Sequence, residues 1–500
     1  MAFSSPRRPR RRPRFPRSAA LAASLLGLVL TGLPATAAPA EPQVRLVAAT
    51  GAITIDRFEG EPAFADLGTN VVAGRDPLEV RVTRKSYRDP IVARQVLKGG
   101  KTRTVPRKLA PGFEGFAGFL HVTLTDASGT VVTDETQPFC PNGWVTARTR
   151  PDAPATSPYP EQCAANPFTL GTVWGIQAGW GVNTSASGTT FDVPDGTYTA
   201  VTEITAPFRS FFKIPAAQAR ATVEVTIRTT EGDGHEEHSL KAERTPPSAR
   251  AAAPKAGPRP RGVASVPAGP KPDLRSLPAY GIQVTSGEDE TGTPAEGDYL
   301  AFAADVWNAG PSRLTVDGFR RPGTGLMDAY QYFYDTKGEQ VGWAPTGTLE
   351  YDTRDGHSHW HFTDFARYSL LAADKKEVVR SGKEAFCLAP TDAIDLTVKG
   401  ANWKPASTGL GSACGDASSL AIRETLDVGW GDTYEQFRPG QSFEITGLPN
   451  GTYWIQILAN PDNRLYERSR SNNTSLRKVV LGGTPGARTV TVPPYQGIDA

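Results

Sequence analysis

Histidine is scarce in this chain, with six residues in 500, and cysteine scarcer still, with four. Four thiols allow at most two bridges and three ways of pairing them, which excludes a small disulfide-dense scaffold. Sustained helical periodicity is missing too, so neither a helix bundle nor a coiled coil fits. Long apolar runs are confined to one place near the start. There, seven arginines between Arg7 and Arg17, with no acid among them, precede SAALAASLLGLVLTGL and the small-residue stretch PATAAPA. This reads as a secretory signal peptide over residues 1–40, cleaved after Ala37 or Ala40. Its apolar stretch is too short for a comfortable anchor, so a secreted, extracellular chain with no membrane span after cleavage is expected. Removing those seven arginines from the formal charge of +2 leaves about −5. The basic balance therefore belongs to the leader, and no nucleic-acid partner is implied.

Acids are absent from a second stretch, Pro246 to Pro272, which holds five cations and many prolines. Such a composition cannot form a core, and the expectation is an extended, solvated Pro/Ala-rich linker over 246–272. It separates residues 41–245 from 273–500, each with one close cysteine pair, Cys140 and Cys163 in the first and Cys387 and Cys414 in the second.

What is present on both sides is β. Runs such as ATVEVTIRT, SFEITGL and GTYWIQILA alternate apolar and polar residues and end in Gly, Pro, Asn and Asp. The expected fold is all-β, with two antiparallel β-sandwich domains carrying long loops. The halves also match each other in order. GFLHVTLTDASGTVVTDETQPFC ending at Cys140 answers DFARYSLLAADKKEVVRSGKEAFC ending at Cys387, GWG recurs at Gly179 and Gly429, and PDGTY at Pro194 recurs as PNGTY at Pro449. A collinear series that includes both cysteines points to a degenerate internal duplication. A duplicated domain should repeat its bridge, so Cys140 is expected to join Cys163 and Cys387 to join Cys414.

Three of the six histidines fall in HSHWHF, as His357, His359 and His361. If that stretch is a strand, its period of two puts all three imidazoles on one face, with Ser358 and Trp360 on the other. Three imidazoles aimed at one point suit copper, zinc, iron or nickel, and three ligands leave positions open for water, oxygen or substrate. At this stage a copper enzyme, a zinc hydrolase and a non-catalytic copper-binding or wall-associated protein all remain open. The remaining histidines carry less. His235 and His238 in GHEEH are spaced i, i+3 in a polar turn, and His121 stands alone on a strand-like run.

Around this triplet the second half, from about Lys271 to Leu481, resembles the lysyl oxidases, copper- and quinone-dependent amine oxidases. The resemblance rests on HSHWHFTDFARYSLL, on Lys383 in GKEAFC and on Asp432-Thr433-Tyr434 in GWGDTYEQF. It implies that His357, His359 and His361 bind copper and that Lys383 and Tyr434 become lysine tyrosylquinone. It further implies oxidative deamination of primary amines, either lysine side chains of extracellular proteins or small amines, by molecular oxygen to aldehydes, ammonia and hydrogen peroxide. The animal enzymes carry more cysteines here, and a histidine where this chain has Arg367, so Asp364 and Asp432 become the acids to consider as a base. By the offsets of the repeat, Thr136 and Thr184 stand where Lys383 and Tyr434 would be, and Glu114 stands opposite His361. The first half is therefore expected to keep the framework without the chemistry, and the second half to carry the activity by itself.

Overall fold

Alternating β-branched and aromatic residues do become strands. A computed structural model describes residues 42–185, 189–230, 255–286, 296–335, 337–353, 358–363, 365–382, 385–406, 414–435 and 440–500. The leader, His235, His238, His357, Asp364 and Lys383 lie outside these residues. Among the described residues there is one α-helix, Ala206–Phe212, and no helix long and apolar enough to cross a membrane.

The strands do not divide into two sheets per half. Among the described residues each half has three main sheets, and the first half adds a two-stranded one. In the first half, Val131–Phe139, Phe116–Thr125, Gly196–Ile204 and Arg220–Thr230 lie side by side, and in the second, Glu377–Arg380, Ala366–Leu371, Gly451–Ala459 and Thr474–Thr484 take the same order. The other two sheets agree in the same way: Val44–Ala48, Thr69–Ala73 and Trp180–Asn183 against Leu274–Ser276, Tyr299–Asn308 and Trp430–Tyr434, and Gly171–Ile176 beside Leu78–Thr83 against Ala421–Leu426 beside Leu314–Arg320. Among the described strands pairing is antiparallel except between Ala52–Phe58 and Arg220–Thr230, and the isolated bridge between Gly171 and Asp395 is parallel too. Alternation reveals a strand's two faces but not which neighbour completes its ladder, so sheet membership was hidden in the sequence.

The repeated short motifs have physical roles. Tyr198 donates its hydroxyl hydrogen to the Pro194 carbonyl at 2.7 Å, and Tyr453 does the same to Pro449 at 2.8 Å, which is why both halves carry Pro-x-Gly-Thr-Tyr. The glycine before each repeated tryptophan turns the chain with positive φ, +70° at Gly179 and +91° at Gly429. A Cβ on Gly429 would meet the Asp395 carbonyl oxygen at 2.6 Å, so only glycine fits this entry to Trp430–Tyr434.

Both expected bridges are present. Cys140 joins Cys163 with Cα atoms 5.9 Å apart, and Cys387 joins Cys414 at 5.7 Å. The halves, however, are joined by more than a tether. Glu41–Ala500 is one compact unit, and one connected apolar core runs from Val44, Trp174 and Phe208 to Phe302, Trp360 and Ile455. The Leu170 amide donates to the Ile394 carbonyl at 2.7 Å, and the Leu396 amide to Gly171 at 2.9 Å, so backbone is paired across the seam. The described part of the proline-rich segment is largely exposed and is tied to the second half at three points. Gly257 donates its N–H to Asp317 at 2.8 Å, Pro258 accepts from the Tyr332 hydroxyl at 2.9 Å, and Ser265 and Trp343 exchange two backbone bonds. Proline has no backbone N–H to donate, so the glycine and serine between the prolines donate and the Pro258 carbonyl accepts, with Asp317, Tyr332 and the Trp343 backbone of the adjacent sheet as partners.

Candidate functional site

His359 and His361 lie on the strand His359–Thr363, which pairs antiparallel with Gln340–Asp352. Both rings are buried, 7% and 1% exposed, and Trp360 between them is buried on the opposite face. The period-two expectation therefore holds for these two histidines. Their Nε2 atoms approach to 3.0 Å with the rings nearly perpendicular. Two nitrogens bound at about 2.0 Å to one metal ion at adjacent corners are separated by about 3 Å, so the pair fits a shared ion. The Asp352 carboxylate sits 3.2 Å from His361 Nδ1. A proton held on Nδ1 leaves Nε2 with its lone pair free, which is the tautomer a metal needs. Among the described residues no group of three or more His, Cys, Asp or Glu side chains is placed to hold a metal, and the third sequence ligand, His357, lies outside them. His121, by contrast, meets Asp134 at 2.7 Å on the surface of the other half.

Tyr434 ends the strand Trp430–Tyr434, opposite Ala304 in register. Its hydroxyl accepts the Cys387 N–H at 2.7 Å and faces the Cys387 carbonyl at 3.2 Å, to which it donates. Burial holds this phenol well above its ordinary range, and Asp432, Tyr368 and Glu424 nearby push in the same direction. At neutral pH it is a protonated phenol whose hydrogen rests on a backbone carbonyl. Asp432 is two residues earlier on the same strand face and 2% exposed. Fully buried Glu424 accepts the Leu388 N–H at 3.1 Å, and its acid is likewise held well above the usual range, chiefly by burial. Tyr434 and Glu424 thus hold two consecutive amides, those of Cys387 and Leu388.

That amide pair ties the tyrosine to the histidines. Ala385–Phe386, immediately before Cys387, pairs with the histidine strand, Phe386 opposite Phe362. The disulfide partner Cys414 accepts the Trp360 N–H on its carbonyl at 3.0 Å. Both bridged residues therefore border the histidine strand. Phe386 packs edge-on to Tyr434, with centroids 4.9 Å apart, and to Tyr368 at 5.7 Å, while Tyr368 packs on Phe302. Three sheets meet in this aromatic cluster. Residues 359–361, 385–388 and 434, far apart in sequence, come together here, and Lys383 precedes the middle segment by two residues.

Comparison with known proteins agrees with this convergence. The lysyl oxidase family model matches residues 342–489. The C-terminal part of this chain belongs to the lysyl oxidase family. Lysyl oxidase homolog 3B of Danio rerio is 29% identical over 118 residues, 23% of this chain and 13% of that protein. Lysyl oxidase homolog 4 of Mus musculus is 29% identical over 118 residues, and lysyl oxidase homolog 2 of Homo sapiens 29% over 123, each match covering 14% of the relative. The chain thus spans only about a seventh of the length of these relatives. The lysyl oxidase region includes the histidine strand, Lys383, the Cys387–Cys414 bridge and Tyr434, and begins ten residues before Asp352. Sequence reading missed Asp352 and Glu424. Asp352 meets His361 only through strand pairing, and Glu424 meets Leu388 only through sheet packing, so neither leaves a spacing signal along the chain.

Proposed function

We propose that the chain is a secreted copper amine oxidase that converts a primary amine, oxygen and water to an aldehyde, ammonia and hydrogen peroxide. The observation that carries this reading is the Tyr434 hydroxyl on the Cys387 backbone, next to the strand of His359 and His361. In this reading His357, His359 and His361 hold copper, with Asp352 orienting His361. Bound copper with oxygen would supply the oxidising equivalents that convert the phenol, and the resulting lysine tyrosylquinone would supply the electron sink for the amine. Lys383 contributes the nitrogen of the crosslink, and the Cys387 carbonyl holds the phenol hydrogen until it is removed. Asp432, buried on the face of Tyr434, is the described acid best placed to take part in proton transfer.

Residues 41–245 are read as a degenerate copy without this chemistry, 246–272 as a linker and 273–500 as the lysyl oxidase-like domain. The shared strand order supports duplication, as does the position of Thr184. Thr184 follows Trp180–Asn183 and donates its backbone N–H to the Thr69 carbonyl, where Tyr434 follows from Trp430 beside Ala304. Substrates are primary amines, either small or lysine side chains of extracellular proteins. The test is a copper-loaded preparation of the full chain given a simple primary alkylamine. Peroxide and ammonia should appear in equal amounts, and neither should appear with a tertiary amine. Absence of both products from a fully copper-loaded protein would sink the proposal.

A further inference from the structure

The strand that ends in Tyr434 has a second face, and the first half of the chain covers it. Asp432 and Tyr434 share the face turned to the aromatic cluster, so Gly431 and Thr433 look the other way. Against that second face lies Asn166 of the first half, 4% exposed. Its Nδ2 donates to Asp305 Oδ2 at 3.1 Å and approaches the Tyr280 hydroxyl at 3.4 Å, while its Oδ1 accepts the Phe168 N–H at 2.9 Å. Thr433 donates its hydroxyl hydrogen to the same Asp305 Oδ2 at 2.7 Å, directly opposite it in the ladder. Asp305 is fully buried, and its Oδ1 has no hydrogen-bond partner among the described residues. That oxygen rests against Gly431, where a Cβ would sit only 2.2 Å away. A second tie runs in parallel. Gln162, next to the bridged Cys163, donates to the Thr391 carbonyl at 3.0 Å, and the Thr391 hydroxyl accepts the Thr433 N–H at 2.8 Å. Asn166 itself is held firmly, because Arg84 donates to the carbonyls of Pro167 and Thr169 on the same loop.

We propose that Asn166, in the half without catalytic side chains, is a positioning residue for Tyr434, acting through Asp305 and Thr433 to fix the strand that presents the phenol. The first half is then a buttress of cofactor formation rather than a separable module. This rests on the reading of Tyr434 as a cofactor precursor. An error of about 1 Å in placing reacting groups can cost about a hundredfold in rate, so a strand held from behind matters to the chemistry in front. The groups that act on Asp305 are Thr433 on the tyrosine strand, Asp392 on the next strand, Glu435 beyond Tyr434, Tyr280 on the neighbouring strand, Tyr368 from the aromatic cluster, and Asn166 and Tyr87 from the first half. The guanidinium groups of Arg84 and Arg275 act on Tyr87 beside this cluster.

The test uses full-length Asn166→Ala and Asn166→Asp, with Lys404→Ala as a control that breaks only the exposed Glu161–Lys404 pair at the same seam. Amide hydrogen exchange over Gly431–Tyr434, copper stoichiometry and the rate of Lys383–Tyr434 crosslinking after copper addition are measured on each. In Asn166→Ala, copper stoichiometry should stay at the parent value while exchange over Gly431–Tyr434 accelerates by about tenfold and crosslinking slows by a similar factor, the scale of one lost buried bond to an acid. Asn166→Asp should behave like the parent in acid, where a carboxyl hydrogen replaces the amide hydrogen toward Asp305, and like Asn166→Ala as the pH rises. Lys404→Ala should match the parent throughout. Parent-like exchange and crosslinking in a folded Asn166→Ala would overturn the proposal. Should Asn166→Ala fail to fold, Asn166→Asp decides, since pH-independent exchange in that variant would overturn it equally. If the parent forms no crosslink, the cofactor reading falls, and the exchange measurement alone still decides whether Asn166 holds the strand.

Discussion

In the proposed copper site, Asp352 selects the nitrogen that His361 offers. Its carboxylate lies 3.2 Å from Nδ1, and removing its charge loosens the ring and lowers the basicity of Nε2. Asp352→Asn should therefore weaken copper binding by roughly 10- to 100-fold in a competition titration, with the fold retained. Arg367→Ala, which removes only a surface contact with Asp462, should leave that affinity unchanged. Parent-like affinity in Asp352→Asn would show that the contact does not orient a ligand. Tyr434→Phe should abolish the quinone absorbance. It should also lower unfolding stability by about 1–3 kcal/mol, because the Cys387 N–H loses its buried acceptor. At this scale the spacing of His359 and His361 was legible, since a period of two on a strand suffices to put both on one face. Asp352, Glu424 and Asn166 were not, since each reaches its partner through a pairing that only the folded ladder defines.

Among the elements, the two disulfides have the same framework role but different neighbours. Each closes a short loop, 23 residues for Cys140–Cys163 and 27 for Cys387–Cys414, and on chain-entropy grounds each stabilises by about 3–4 kcal/mol. Only the second borders the histidine strand, through Phe386 opposite Phe362 and the Trp360 N–H on the Cys414 carbonyl. Cys387→Ser with Cys414→Ser should therefore lose copper affinity as well as stability, whereas Cys140→Ser with Cys163→Ser should lose a similar amount of stability and keep its affinity. Thermal melts beside copper titrations separate the two, and equal losses of affinity would count against the placement of the site. The repeat of cysteines, GWG and Pro-x-Gly-Thr-Tyr was readable in the sequence because each motif carries a local duty: a bridge, a positive-φ turn or a tyrosine hydroxyl on the carbonyl four residues back. The three-sheet layout of each half was not readable, because alternation is the same whichever sheet a strand joins.

For the molecule as a whole, the seam between the halves sets a dependence on pH. Burial holds the Asp305 acid well above its ordinary value of 3.8, and the neighbouring Asp392 carboxylate adds to this; Asp392 is itself raised, chiefly by burial. The folded state thus keeps these protons where the unfolded chain has lost them. Stability from this site is greatest below the unfolded value and falls as pH rises from about 3.8 through the folded value. The difference in melting temperature between parent and Asp305→Asn isolates the site, since all other groups cancel. The parent should lose stability relative to the variant as pH rises, and a difference that stays flat or runs the other way would contradict the burial of this acid. The proline-rich stretch, read from composition as a solvated linker, gave no hint of this seam. Composition reports what a segment cannot bury, but not that Tyr332, Trp343 and Asp317 wait beside it with polar groups to satisfy.

In the proposed function Tyr434 and Lys383 become one cofactor beside a copper held by the histidine strand. Peptide mass mapping of the copper-loaded, oxygen-exposed protein tests it most directly. A crosslinked pair of peptides, one containing Lys383 and the other Tyr434, should be found there and be absent from the metal-free protein and from Tyr434→Phe. Recovery of both peptides separate and unmodified from protein shown to hold copper would contradict it.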